Sequence, residues 1–207
     1  MIYVSIDCEM TGLDPETCQL LEIGAIIEDT NNIKQIDEIP KFSCIVEHEH
    51  LMGQPMGLHM NSRIIEILAK MEDLNKVERS EYRKLHKIIP ASMVASSFQI
   101  WLAANGIKTD TNRVVITVAG KNFAGADKKF LDKVPNWSKH IQIRQRIIDV
   151  GGMYTDWKND EILPNLNKCL ERGGLIGEVD HVAVHDAWDV IRAVRRATHD
   201  YTRNLWL

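Results

Sequence analysis

Over the first fifty residues the apolar positions fall in short β-branched runs; further along they take a helical spacing. Ile2, Tyr3, Val4 and Ile6 predict a short buried strand that runs into a turn at Thr11-Gly12. Residues 19–28 and 41–47 predict a second and third strand, the second entered through the polar turn 14–17 and left through Asn31-Asn32. Three strands at this spacing imply an antiparallel meander. A loop rich in His, Met and Gly covers 48–59, and Asn61 or Ser62 then caps a helix striped with Ile64, Ile65, Ile67 and Leu68. Residues 70–87 are strongly charged and predict an exposed helical excursion ended by Pro90. A solvated face is the default reading of such a run; a track for phosphates along Lys76, Arg79, Arg83, Lys84 and Lys87 is the alternative.

Helical spacing returns at 92–105, with Val94, Phe98, Ile100, Trp101 and Leu102 apolar and Gly106 as the stop. Residues 113–119 are the most strand-like of all and read as a buried fourth strand. They lead through Gly120-Lys121-Asn122 to a helix expected over 126–134, and 141–150 predicts a fifth strand. Helical turns broken by Gly-Gly pairs fill 151–177. A long helix is expected from 181 to 200, with Ala183, Ala187, Val190, Ile191 and Val194 inward. The expected architecture is one α/β domain over 1–207, a mixed five-stranded sheet flanked by helices.

Composition adds limits. At 44% hydrophobic and 26% charged residues the chain is ordinary for a globular protein, and no apolar run approaches the roughly 20 residues of a membrane span. Cys8, Cys18, Cys44 and Cys169 lack CxxC spacing, so reduced thiols in a cytoplasmic protein are the expectation. A net charge of −4 gives nucleic-acid binding no bulk support, so any such partner must be argued from a local site.

The chemistry starts at the first strand. Asp7 and Glu9 are two residues apart and point to one face, where two carboxylates repel unless a cation lies between them. Hard divalent ions prefer such oxygens. Two more acids follow strong punctuation: Asp127 after the Gly120-Lys121-Asn122 turn, and Asp186 in His181-x(4)-Asp186. Four carboxylates from three elements can hold two divalent ions about 4 Å apart, which clamp the attacking and leaving oxygens of a phosphodiester. A nearby histidine supplies a general base. His185 competes with His181 but faces another side of the helix, and Asp189 has the i,i+3 spacing of an ion pair with Arg192.

The ordered motifs D-x-E-x-T-G-L, G-x-N-x(4)-D and H-x(4)-D-A resemble those of the DEDDh family of 3′–5′ exonucleases, on a ribonuclease H-like fold, and the first motif is most similar to that of oligoribonuclease. The resemblance runs over about residues 2–197. It implies a 3′–5′ exonuclease that acts on single-stranded DNA or RNA with a free 3′ end and releases nucleoside 5′-monophosphates. It further implies two Mg²⁺ or Mn²⁺ ions held by Asp7, Glu9, Asp127 and Asp186, with His181 as base. By the same resemblance Met10, Thr11, Gly12 and Leu13 would seat the terminal nucleotide, with His59 and Asn122 beside it. An enzyme restricted to short RNA oligomers is the narrower alternative, and a non-catalytic nucleic-acid-binding relative the bland one. Gln54 departs from the oligoribonuclease pattern, which has Trp at this position; a stacked base on such a platform is worth about 1–3 kcal/mol. The segments 70–87 and 173–180 look like insertions relative to oligoribonuclease. Tyr201, Trp206 and Leu207 read as a docked tail or part of a homodimer contact.

Overall fold

In a computed structural model that describes residues 1–110, 112–176 and 180–204, the meander forms where the alternation places it. Strands β1 (Ile2–Met10), β2 (Leu20–Asp29) and β3 (Lys41–Glu47) pair antiparallel in sequence order. β4 (Ile88–Pro90) lies parallel to β3 at the sheet edge. The expected fourth strand is split into β6 (Arg113–Ile116) and β7 (Val118–Gly120), preceded by the two-residue β5 (Thr109–Asp110). The fifth is split into β8 (Ile141–Ile143) and β9 (Ile148–Asp149). One sheet has the order β4-β3-β2-β1-β7-β9, and β5-β6-β8 forms a second.

The main sheet is therefore six-stranded where the sequence predicted five. Pro90 was expected only to break the charged segment; it closes an edge strand, where a missing N–H does no harm. Three residues between two helices are too few to show a period-2 pattern.

Among the described residues the helices are α1 (Pro55–Met60), α2 (Ser62–Lys70), α3 (Lys76–His86), α4 (Ala91–Ala104), α5 (Asp127–Leu131), α6 (Trp137–His140), α7 (Val150–Met153), α8 (Leu166–Arg172) and α9 (Ala183–Asn204). None is long and apolar enough to cross a membrane. The charged excursion is helical as expected. Asn75 caps α3 by accepting from Val77 and Glu78 while Glu78 reaches back, and Lys87 ends it in a left-handed conformation. Arg83 forks onto both oxygens of Glu47 at 2.9 and 2.7 Å, and Arg79 donates to the Met71 carbonyl at 2.7 Å. Two cations of the supposed phosphate track are thus committed to holding the helix.

The two faces of β1 have different fates. Val4, Ile6 and Cys8 join Ile23, Ala25, Phe98, Leu102 and Trp137 in the larger core. Tyr3 lies in a second core with Ile26, Val190, Ile191 and Val194, under α9. Continuing along that second face gives Ser5, Asp7 and Glu9. The side chain that faces α9 thus changes from aromatic to acidic over three alternations, which puts the acids under the start of the helix. At the far end of the same face, buried Glu28 accepts from Nε and Nη2 of Arg195, each at 2.7 Å. Tyr201 has no described side chain, and Trp206 and Leu207 lie outside the described residues.

Candidate metal centre and active site

Asp7 stands opposite Gly24 and Glu9 opposite Glu22 in the β1–β2 ladder, and directly paired residues share a face. A register shift between Glu9 and Met10 ends this regular pairing, a common device where a strand must re-aim its side chains. Asp127 arrives from the other side. It is the first residue of α5, and its Oδ1 accepts the Cys8 amide at 2.9 Å, between the two strand acids. Asp186 lies in the first turn of α9, where the helix dipole favours a negative charge. His181 precedes that helix in a left-handed backbone conformation (φ 55°) and brings its Nδ1 to 3.9 Å from Glu9 Oε1.

The structure brings Glu9, His181 and Asp186 together and sets Asp7 and Asp127 within charge reach of them. Ligand atoms of Glu9, His181 and Asp186 lie within 4.8 Å of one another. Glu9, Asp127 and Asp186 are buried, while the His181 side chain is 48% exposed. His185 points elsewhere and bonds Asp180 at 2.8 Å.

Crowding buried acids without a counter-charge has a clear electrostatic signature. Burial pushes the Asp7 carboxyl well above its usual range, and the charges of Asp127, Asp186, Glu9 and Glu22 push it further. Burial, then Asp186 and Glu22, raises Glu9 to about 8. Asp186 is raised to about 7 by burial, Asp180 and Asp189. Burial raises Asp127 to about 7 against the opposing hydrogen bond from Cys8. Asp186 Oδ1 is a buried acceptor without a hydrogen-bond partner, a costly arrangement unless something fills the coordination. These observations fit a divalent cation held by Asp7, Glu9, Asp127 and Asp186.

One consequence is measurable. Acids whose folded pKa exceeds the unfolded value of about 4 contribute stability that is fully present below pH 4 and lost as pH rises through 7 to 8. The chelator-treated protein should melt roughly 10 °C lower at pH 8.5 than at pH 5.5, from a loss on the order of 4 kcal/mol. Mg²⁺ or Mn²⁺ should recover most of that difference. A flat melting curve across this range would contradict the electrostatics.

The residues expected at the terminal nucleotide divide. Leu13 is 86% exposed, in the turn that follows β1. Thr11 is fully buried: its amide donates to Gln19, its carbonyl accepts from Gln54, and its hydroxyl donates to the Met52 carbonyl at 2.7 Å. It holds the turn together. Met10 packs against the large core, and its carbonyl accepts from Asn61. A Cβ at Gly12 would meet Cys18 and Gln54 under 3 Å, which marks how tightly that turn is packed. His59 is exposed on α1, whose Gly57 lies against the Thr11–Gly12 backbone so closely that a Cβ would come within 2.3 Å. Asn122 turns in a left-handed conformation (φ 56°), and its amide donates to Asp149 at 3.0 Å.

One further acid was not expected. Glu22 is buried, bonds Arg63 at 2.7 Å, and accepts the Ala183 amide at 3.4 Å, which ties β2 to both α2 and the start of α9. The signal was an acid set inside the apolar run of β2. Asp189 forms the expected pair with Arg192, at 2.7 Å, but is buried rather than on the surface, because α9 lies flat on the sheet.

Comparison with known proteins identifies the family of the chain. The mitochondrial oligoribonuclease of Mus musculus is 32% identical over 148 residues, covering 71% of this chain and 53% of that protein. The oligoribonuclease of Photorhabdus laumondii is 33% identical over 90 residues, 42% of this chain and 49% of that one. The chain spans about half the length of these curated relatives. Among solved structures, E. coli exonuclease I in complex with a dT13 oligonucleotide superposes with a TM-score of 0.59 at 15% identity, covering 99% of this chain and 42% of that one. Cell-death related nuclease 4 gives 0.61 at 14% identity, over 96% of this chain and 64% of that one. The RNase T exonuclease model matches residues 4–194, from the strand that carries Asp7 and Glu9 to the helix that carries Asp186. With the match running through nearly the whole chain, we conclude that it belongs to the RNase T exonuclease family.

Proposed function

We propose that this chain hydrolyses single-stranded nucleic acid from its 3′ end and releases nucleoside 5′-monophosphates. The observation that carries the reading is that four acids from β1, α5 and α9 lie within charge reach of one another, with Glu9, Asp186 and His181 close enough to share an ion. Membership of an exonuclease family and a fold-mate solved with a single-stranded oligonucleotide support it.

Asp7, Glu9, Asp127 and Asp186 would hold Mg²⁺ or Mn²⁺, which supplies charge neutralisation for the phosphodiester and for the oxygens entering and leaving it. The protein's own contribution is placement. The Cys8 amide fixes Asp127 beside β1, and the Glu22 carboxylate anchors the α9 start that carries Asp186. His181 is open to solvent on one side and faces Glu9 on the other, so it can take a proton from an attacking water while the carboxylate stabilises the imidazolium. Exposed Leu13 offers an apolar edge against the terminal base.

A 5′-labelled linear oligonucleotide with Mn²⁺ should shorten stepwise from its 3′ end, with nucleoside 5′-monophosphates as product. A circular single strand should stay intact. Cleavage of the circle, or 3′-monophosphate products, would reject the proposal. Substrates of two to twenty nucleotides, in RNA and DNA, separate general exonuclease activity from restriction to short RNA, the reading that similarity to oligoribonucleases favours.

A further inference from the structure

The segment after β9 carries a feature that the chemistry above leaves unused. Trp157 is 82% exposed, as is Ile162, with Leu163 and Met153 partly exposed alongside. An indole this open usually sits on a loose loop, but this loop is pinned. Asp156 accepts from the Lys158 amide at 3.1 Å and from Asn159 Nδ2 at 2.7 Å, and its own amide donates to Asp160. Arg172 forks onto both oxygens of Asp160 and also donates to the Tyr154 carbonyl at 2.7 Å. The Tyr154 hydroxyl in turn reaches the Ala193 carbonyl on α9 at 2.8 Å. A fixed loop that presents an aromatic ring and two aliphatic side chains to water is organised for contact.

Its position says with what. β1, β7 and β9 run parallel, so the acids at the end of β1, the Lys121-Asn122 turn after β7 and the start of the segment after β9 lie along one edge of the sheet. Ligands of open α/β sheets collect outside that carboxyl edge. Neighbouring strands are about 4.8 Å apart, so β9 lies roughly 10 Å from β1. The same loop, from Asn159 onward, lines a groove of about 660 Å³ together with Lys121, Asn165 and Lys168 among others. It starts at the same turn that presents Asn122. Its charges balance: Lys121, Lys168 and Arg172 against Asp160, Glu161 and Glu171. A neutral groove with an apolar rim suits bases better than phosphates, since phosphate tracking needs net positive charge.

We infer that the Trp157 loop is a second substrate subsite, where bases upstream of the scissile nucleotide stack, and that it directs the enzyme toward strands longer than a dinucleotide. The inference rests on the exonuclease reading. It also fits Gln54, which leaves no aromatic platform at that position of the terminal subsite.

The test is the length dependence of KM. For wild type, Trp157→Ala and Trp157→Phe, KM is measured on a dinucleotide and an octanucleotide of the sugar that the wild type hydrolyses. The dinucleotide-to-octamer KM ratio should fall about 5- to 150-fold in Trp157→Ala, the equivalent of 1–3 kcal/mol of stacking. Trp157→Phe should recover most of it, and both variants should melt like wild type because the ring is exposed. An unchanged ratio in Trp157→Ala overturns the inference while leaving the exonuclease assignment intact. So does a variant whose only change is loss of a dimer, which would give this face to a second copy. If the wild type degrades no oligomer of any length, the exonuclease reading itself fails. Anisotropy of a fluorescein-labelled octamer then decides the subsite alone, which stands if Trp157→Ala weakens binding at least 5-fold and falls if it does not.

Discussion

Asp186→Asn is expected to cut oligonucleotide hydrolysis roughly a thousandfold or more while raising the melting temperature of the metal-free protein at pH 8. The two effects have one cause. Asp186 is buried with an unpartnered oxygen and a pKa raised to about 7, so at pH 8 it is ionised in a place that disfavours its charge. A neutral amide of the same shape removes that charge. A gain of about 2 kcal/mol, or roughly 4–8 °C, is a fair size after allowing for the solvent that reaches the site. The same exchange removes a ligand that the proposed cation needs, and acids that act as one unit fail together. Asp7→Asn should behave alike, since its carboxyl is pushed up by burial and by its three acidic neighbours and Glu22. The paired measurement is a melting curve in chelator and a rate with Mn²⁺. Full activity in either variant would remove these acids from the chemistry, whereas loss of activity together with a lower melting temperature would assign them to folding.

Much of this site could be read from the sequence because its chemistry sits on regular elements. Asp7 and Glu9 follow from the period of two along a strand, and Asp186 from a long helix with an apolar stripe. What the sequence did not show is how elements distant in the chain meet. Glu22 is separated from Ala183 by 161 residues and became a site residue only through the β1–β2 register and the seat of α9. Asp189 had the spacing of a surface pair, and its burial depends on how α9 lies on the sheet. Thr11 also gained a tertiary role that spacing does not show. Its hydroxyl donates to the Met52 carbonyl and accepts from the Gln19 amide, contacts between segments distant in the chain. The sheet was undercounted because β4 is three residues long and is held by backbone pairing to β3. Trp157 carried no sequence signal, since exposure decides its meaning and exposure is a tertiary property.

Gly24 has the least room for a side chain among the described glycines, and Gly24→Ala should show it. The residue lies opposite Asp7 on the face covered by α9, and a Cβ there would come within 2.1 Å of the Ala183 carbonyl carbon and the Val184 amide nitrogen. These are backbone atoms at the first turn of the helix, so no rotamer change relieves the clash. Contact at ordinary distance requires the start of α9 to move by more than about 1 Å, and His181 and Asp186 move with it. Misplacement on that scale can cost about a hundredfold in rate, and overpacking of a filled core adds about 1–3 kcal/mol of destabilisation or more. Gly24→Ala should therefore lose about two orders of magnitude in hydrolysis and melt several degrees lower, with its Mn²⁺ affinity reduced because Asp186 no longer faces Glu9. Gly152→Ala is the matched control, since nothing lies within 4 Å of the added methyl. Should Gly24→Ala match wild type in rate, melting and Mn²⁺ affinity, α9 does not rest on β2 at this point. The shared face on which β1, β2 and α9 assemble the acids would then have to be redrawn.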